Sequence, residues 1–187
     1  AIASRYPIAD VMCGLPGDDN DEQARYIEAS IENVRVASVY LPNGNPAPGP
    51  KFDYKLQWMD RLNQRAEALL ANEQPVVLGG DFNVIPDDLD CYDPFGWEGD
   101  ALTRPETRQA FRTLVHTGYC DALRARHPHE VIYTYWDYQA GAWQRDHGVR
   151  IDHLLLSPEA VDRLGAVGVD KAPRGLEKPS DHTPIWC

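Results

Sequence analysis

The stretch Pro75-Val76-Val77-Leu78-Gly79-Gly80-Asp81-Phe82-Asn83 constrains this chain more than any other. Its apolar run stands behind a proline and is too short for a stable helix. It reads as a buried strand, which two glycines open into a tight loop. Just upstream, in residues 52–71, Leu56, Met59, Leu62, Ala66, Leu69 and Leu70 recur at helical spacing, with Lys55, Arg61 and Arg65 among the polar positions. A long amphipathic helix that feeds a buried strand requires a sheet on which both can pack.

The rest of the chain supplies that sheet. Val-rich residues 32–41 predict a strand stopped by Pro42, and residues 43–50, NGNPAPGP, predict a loop. A second helix is expected over 106–116. Strands are expected over 131–138, 150–157 and 165–170, a short helix over 158–164, and a last short strand after Ser180-Asp181-His182. The opening residues AIASRY read as the inside of a strand, so the chain is expected to be the later part of a longer domain. Strands and helices alternate, but hairpin-like strand pairs also occur. The expected class is α/β, a layered α/β sandwich of mixed β-sheets covered by helices. Residues 1–187 form one domain in this reading, N-terminally incomplete, with no linker inside it.

Charge and cysteine content narrow the function. Eighteen Lys and Arg against 29 Asp and Glu give a net charge of −11. That excludes a basic nucleic-acid coat but leaves room for a local basic groove. No apolar run approaches the roughly 20 residues a membrane helix needs. Cys13, Cys91, Cys120 and Cys187 form no CxxC pair, which predicts reduced thiols and a cytoplasmic protein rather than a zinc site or a disulfide frame.

Four polar clusters stand where strands end. Asp81 and Asn83 follow VVLGG two residues apart, so a strand would point both the same way; the pair equally suits an ordinary turn. Asp152 lies between Arg150-Ile151 and a Leu run, where a half-buried carboxylate needs a partner, be it catalytic or a structural base such as Arg150. Asp181 and His182 sit between Pro179 and Pro184; a histidine there could act as acid, base or phosphate donor, or be a surface residue of a loop. Tyr40 closes its strand with a phenol, which a core tyrosine would also do.

Taken in order, Ser38-Val39-Tyr40-Leu41-Pro42-Asn43-Gly44, Gly80-Asp81-Phe82-Asn83, Arg150-Ile151-Asp152 with Leu154-Leu155-Leu156-Ser157, and Glu177-Lys178-Pro179-Ser180-Asp181-His182 resemble the exodeoxyribonuclease III family. That family includes the apurinic/apyrimidinic endonucleases and belongs to the endonuclease/exonuclease/phosphatase superfamily, so the chain would be the later part of a DNase I-like fold. Gly14-Leu15-Pro16-Gly17-Asp18-Asp19 resembles the family as well, and the likeness runs over essentially the whole chain. The family's opening strands, which carry an asparagine and a metal-binding glutamate, have no counterpart. Glu28 and Glu32, expected in a helix-like or turn-like context, do not replace that glutamate.

The resemblance implies a DNA-repair nuclease that hydrolyses phosphodiesters at abasic sites or 3′ ends of duplex DNA with Mg²⁺ or Mn²⁺. It gives Asp81 the attacking water, Asn83 the nucleophile or phosphorus, His182 a phosphate oxygen with Asp152 holding its ring, and Tyr40 the phosphate or leaving group. Asp81, Asn83, Asp181 and His182 are the implied metal ligands. Lys51, Tyr135 and Trp136 are the implied DNA contacts, the two aromatics bordering an abasic pocket. Lys51, Lys55, Arg145, Arg150 and Lys178 would line a phosphate groove, with acidic residues 17–22 facing solvent elsewhere. The protein is expected to be a monomer without membrane partners. Two other readings share parts of this pattern: a superfamily phosphatase or phosphodiesterase on a non-DNA substrate, and a catalytically incompetent DNA-binding fragment.

Overall fold

A computed structural model describes residues 1–187. The strands are β1 (Ile8–Cys13), β2 (Tyr26–Ile31), β3 (Val34–Tyr40), β4 (Val76–Asp81), β5 (Cys120–Asp121), β6 (Asp152–Leu156), β7 (Gly168–Val169) and β8 (Ile185–Trp186). The helices are α1 (Pro50–Leu70), α2 (Pro105–His116), α3 (Ala122–Arg126) and α4 (Pro158–Val161). Six strands form one sheet in the order β1-β2-β3-β4-β6-β5, and β7 pairs with β8 separately. Only β3 and β4 run parallel; the other pairs are antiparallel. The sheet is therefore mixed, as the sequence predicts.

The parallel pair is the product of the helix-then-strand signal, since α1 is the crossover between β3 and β4. Pro50 starts α1 at a position where no backbone N–H is missed. Trp58, Met59, Leu62, Ala66 and Leu69 of α1 pack with Phe111 and Leu114 of α2 on Tyr26, Ala37, Val39, Val76, Leu78 and Leu155 of the sheet. The opposite face is covered at one end by Ala160 of α4 and by Val167 and the β7–β8 pair, which meet Val77, Leu154 and Leu156. Gly80 lies against the backbone of β3: a Cβ there would stand 2.0 Å from the Val39 carbonyl oxygen. Only glycine permits that approach together with its φ of 140°.

Several sequence expectations are corrected. Residues 1–7 precede any strand, because Pro7 cannot donate to a ladder and β1 begins behind it. The strand expected over 32–41 is one arm of a hairpin that turns at Glu32, whose φ is 53°. Glu28 is in β2, not in a helix or turn. It is fully buried and accepts from Tyr26, Arg35 and Arg65. The 131–138 segment is irregular; Tyr135 alone bridges Val149 and His182, and the buried aromatics around it replace a ladder. The edge strand of 165–170 shrinks to Gly168–Val169. Lys55 and Arg61, polar by type, are buried in α1.

Arg150 is fully buried too. Its guanidinium donates from Nε to Asp90 at 2.6 Å and from Nη1 to Asp121 at 2.7 Å, and it reaches His153 Nδ1 at 2.9 Å. Because Arg150 supplies that proton, His153 donates its own from Nε2 to the Val84 carbonyl. Burial and the Arg150 charge hold the imidazole neutral, down to about 4. This network ties β6 to the loop that follows β4. No helix of the chain is long and apolar enough to cross a membrane.

Candidate active site

Register places three of the expected residues in one row. Tyr40 is the lateral neighbour of Asp81 across the β3–β4 pair, and Asp81 is the neighbour of Asp152 across the β4–β6 pair. Side chains in register share a face, so the phenol and the two carboxylates stand side by side. Neighbouring strands lie about 4.8 Å apart, which sets their spacing. His182, from the segment before β8, joins the row when its Nδ1 meets Asp152 Oδ2 at 2.8 Å. Asp152 is thus the partner of His182. Arg150, the structural alternative, is taken up by Asp90 and Asp121.

Asp81 and Asn83 converge, though not through strand alternation. The Asn83 backbone turns left-handed, with φ 48°, two residues after β4 ends. Its N–H then donates to Asp81 Oδ1 at 2.8 Å and its Nδ2 to Asp81 Oδ2 at 3.0 Å. The same Nδ2 donates to the Leu41 carbonyl at 2.9 Å, while Asn43 Nδ2 donates to Asn83 Oδ1 at 3.0 Å. The carboxylate is oriented at both oxygens.

Burial, and the Asp152 carboxylate beside it, push the Asp81 acid up to about 7. Burial opposes charge on His182, but the hydrogen bond and charge of Asp152 outweigh it and raise the imidazole above its usual range. Burial, in that case dominant, lowers the Lys55 ammonium to about 7 against the pull of Asp100 and Asp81. Tyr135 is held protonated, up to about 12, by burial first and by surrounding carboxylates.

These groups surround a cavity of about 270 Å³ lined by Tyr40, Asp81, Asn83, Tyr135 and His182, and also by Asn43, Asn45, Trp97, Asp100, Leu102 and Ile151. Tyr40 is exposed to it, with Arg25 stacked over its ring at 5.0 Å. The ring of Tyr135 meets His182 edge-on at 5.0 Å. A second cavity of about 270 Å³ shares the Trp97 and Tyr135 walls and is bounded by Arg145 and the stacked Tyr92–His147 pair. A larger groove of about 540 Å³, between α1 and Gly17–Asp18, gathers none of the expected catalytic groups.

Other expectations are not met by the geometry. Trp136 is fully buried, donates Nε1–H to Asp146 at 2.9 Å and packs on Trp143, so it cannot touch DNA. Lys55 and Arg150 are likewise too buried to line a groove, whereas Lys51, Arg145 and Lys178 are exposed. Lys51, in the first turn of α1, keeps the exposure that the expected DNA contact needs, although it is not a wall of the cavity. No three His, Cys, Asp or Glu side chains come together as a metal-binding group, so Asp81, Asp181 and His182 do not close a shell. Oxygen donors still fit a hard cation: two adjacent carboxylates, Asp81 and Asp152, stand in one row, and the first of them walls the cavity and is raised to about 7 by burial and by its neighbour's charge. Mg²⁺ commonly uses one or two carboxylates and fills its remaining positions with water and phosphate.

Asn43, Asn45, Trp97 and Asp100 escaped the sequence reading as site residues. Asn43 and Asn45 sit in a Pro-rich loop that advertises only a turn. Trp97 and Asp100 belong to the 91–104 segment, where the one available signal was a run of three aromatics, Tyr92, Phe95 and Trp97, within a turn-rich loop.

The endonuclease/exonuclease/phosphatase family model matches residues 1–182. This chain belongs to that family. Among its relatives, exodeoxyribonuclease III of Haemophilus influenzae is 32% identical over 201 residues, covering all of this chain and 74% of the relative. A Neisseria 3′ phosphatase solved with a product DNA hairpin superposes with a TM-score of 0.95 at 42% identity, over 97% of this chain and 71% of that one. An AP endonuclease from Archaeoglobus fulgidus gives 0.91 at 35% identity, over 96% of this chain and 70% of that one. The family's fold is the α/β arrangement described above, and its members are metal-dependent hydrolases of phosphate esters, nucleases and phosphatases among them. The chain spans about seven-tenths of each of these relatives.

Proposed function

We propose that this chain is a DNA-repair nuclease that hydrolyses phosphodiesters at abasic sites or 3′ ends of duplex DNA, with Mg²⁺ or Mn²⁺ bound at Asp81 and its neighbours. The observation that carries the reading is the Tyr40–Asp81–Asp152 row, completed by His182, around one cavity. It is supported by relatives named as exodeoxyribonuclease III and AP endonuclease.

The residues then divide the work. Asp81, as carboxylate, accepts a proton from the attacking water, and Asn83 keeps both of its oxygens aimed. His182 holds a proton on Nδ1 toward Asp152, and its Nε2, when protonated, donates to a non-bridging phosphate oxygen. That is charge stabilisation where charge develops. Tyr40 donates its phenol to the phosphate or the leaving oxygen. A divalent cation, when bound, would neutralise phosphate charge, held by Asp81 and Asn83 with Asp181 in reach of the same rim. Tyr135 borders the sugar side, and Lys51 contacts a phosphate of the flanking strand. The unit acts as a monomeric, single domain, and its four free thiols suit the cytoplasm.

The test is a nicking assay on abasic and intact duplexes. Cleavage at the abasic site is expected with Mg²⁺ and is expected to vanish in EDTA. Undiminished cleavage in EDTA would contradict the reading. A second reading, phosphomonoester hydrolysis at a 3′ end, is favoured by the Neisseria 3′ phosphatase relative. Phosphate release from 3′-phosphorylated DNA, without nicking of abasic DNA, would select it.

A further inference from the structure

Lys55 is a basic side chain with no solvent exposure, set under the catalytic cavity rather than in it. It rises from α1, one turn beyond the exposed Lys51, and its Nζ donates to two carbonyls: Asn83 at 2.6 Å and Asn43 at 2.9 Å. Those residues belong to the two loops that leave β4 and β3, and their carboxamides bond each other. Asn83 in turn donates to both oxygens of Asp81. A continuous hydrogen-bonded path therefore runs from the ammonium to the carboxylate.

The surroundings are shaped for this side chain. Two carbonyls that converge on a dry point need a donor able to serve both, and a charged donor does so most strongly. The Lys55 stem passes over Gly44, where a Cβ would stand 2.6 Å from Lys55 Cδ. Gly44 also has φ 91°, a conformation other residues resist. Lysine and glycine thus fit one another as a pair.

The geometry points to Lys55 as a positioning residue that locks the Asn43 and Asn83 loops together and so fixes Asp81 for attack on phosphate. In its kinetic part this inference rests on the nuclease reading. Nothing in it requires Lys55 to touch DNA.

The test replaces the ammonium by an apolar group of similar length, Lys55→Met, and assays below the melting temperature of the variant. The expected result is a fall in kcat of at least thirtyfold with KM within threefold, and displaced side-chain amide resonances for Asn43 and Asn83. A merely structural role would lower Tm and leave kcat of the folded fraction within threefold of the parent, which would overturn the inference. If Lys55→Met does not fold, Gly44→Ala decides: it presses on the lysine stem without removing a charge. The same loss of kcat at steady KM is expected, and parent-like kcat would refute the role. A parent protein inactive on every DNA substrate would sink the nuclease reading alone. Unmoved amide resonances would sink the Lys55 assignment alone.

Discussion

At the scale of single residues, the site is held by pairs, and pairs can be tested as pairs. Asp152 and His182 are joined at 2.8 Å although 30 positions apart. Asp152→Ala and His182→Ala are each expected to lower turnover, with the double variant falling short of the summed loss. Strictly additive losses in single-turnover assays would show that they act separately. The aromatics separate in the same way. Tyr135→Ala is expected to blunt discrimination between abasic and intact DNA, since its ring walls the cavity. Trp136→Ala is expected to destabilise the fold by about 3–5 kcal/mol, the usual cost of hollowing a core; paired binding and denaturation curves distinguish the two. Tyr40, Asp81, Asp152 and His182 were legible because each is a polar group at a strand end or proline-bounded turn. Trp136 and Lys55 were misread because burial depends on distant partners. The carbonyls that Lys55 serves come from 12 and 28 residues away, and no local pattern announces them.

At the scale of elements, β6 is anchored to the loop after β4 by buried charges. Burial works against the carboxylates of Asp90 and Asp121, yet Arg150 holds both below their ordinary range. Glu28 is lowered likewise, its burial outweighed by Arg65, Arg35 and Tyr26. A carboxylate whose folded pKa is depressed adds stability above its unfolded pKa, near 4, and loses it as pH falls through the folded value. The melting temperature is therefore expected to drop steeply below about pH 4; a flat profile from pH 7 to 3 would contradict this. Arg150→Met is expected to cost about 3–5 kcal/mol, because it strands buried carboxylates, and a denaturant midpoint would measure it. The helix–strand crossover was legible from periodicity. The 131–138 segment was not, because its strand-like composition serves aromatic packing, with Thr134 Oγ1 accepting from the N–H groups of Ile151 and Asp152.

At the scale of the whole molecule, a chain of net charge −11 has to bind a polyanion. Of the basic residues assigned to a groove, Lys55 and Arg150 are inside the protein, which leaves Lys51, Arg145 and Lys178 exposed, with Arg25 beside Tyr40. Few phosphates can then be neutralised. The slope of log K against log salt, measured on Asp81→Asn so that DNA is not cut, is expected to be no steeper than about −4 at roughly −0.9 per phosphate contact. A slope near −8 would reveal a basic surface elsewhere. The row of Tyr40, Asp81 and Asp152 has a different kind of consequence. Its spacing is fixed by strand pairing, and a slip of one residue in any of the three strands would turn that strand's member of the row to the other face. The cavity's remaining walls come from loops, where insertions and deletions are tolerated. Descendants of such a protein can therefore reshape what the cavity accepts by editing residues 91–104, which supply Trp97, Asp100 and Leu102 to its wall, while inheriting the row intact. An engineer could exchange that segment between relatives on the same terms.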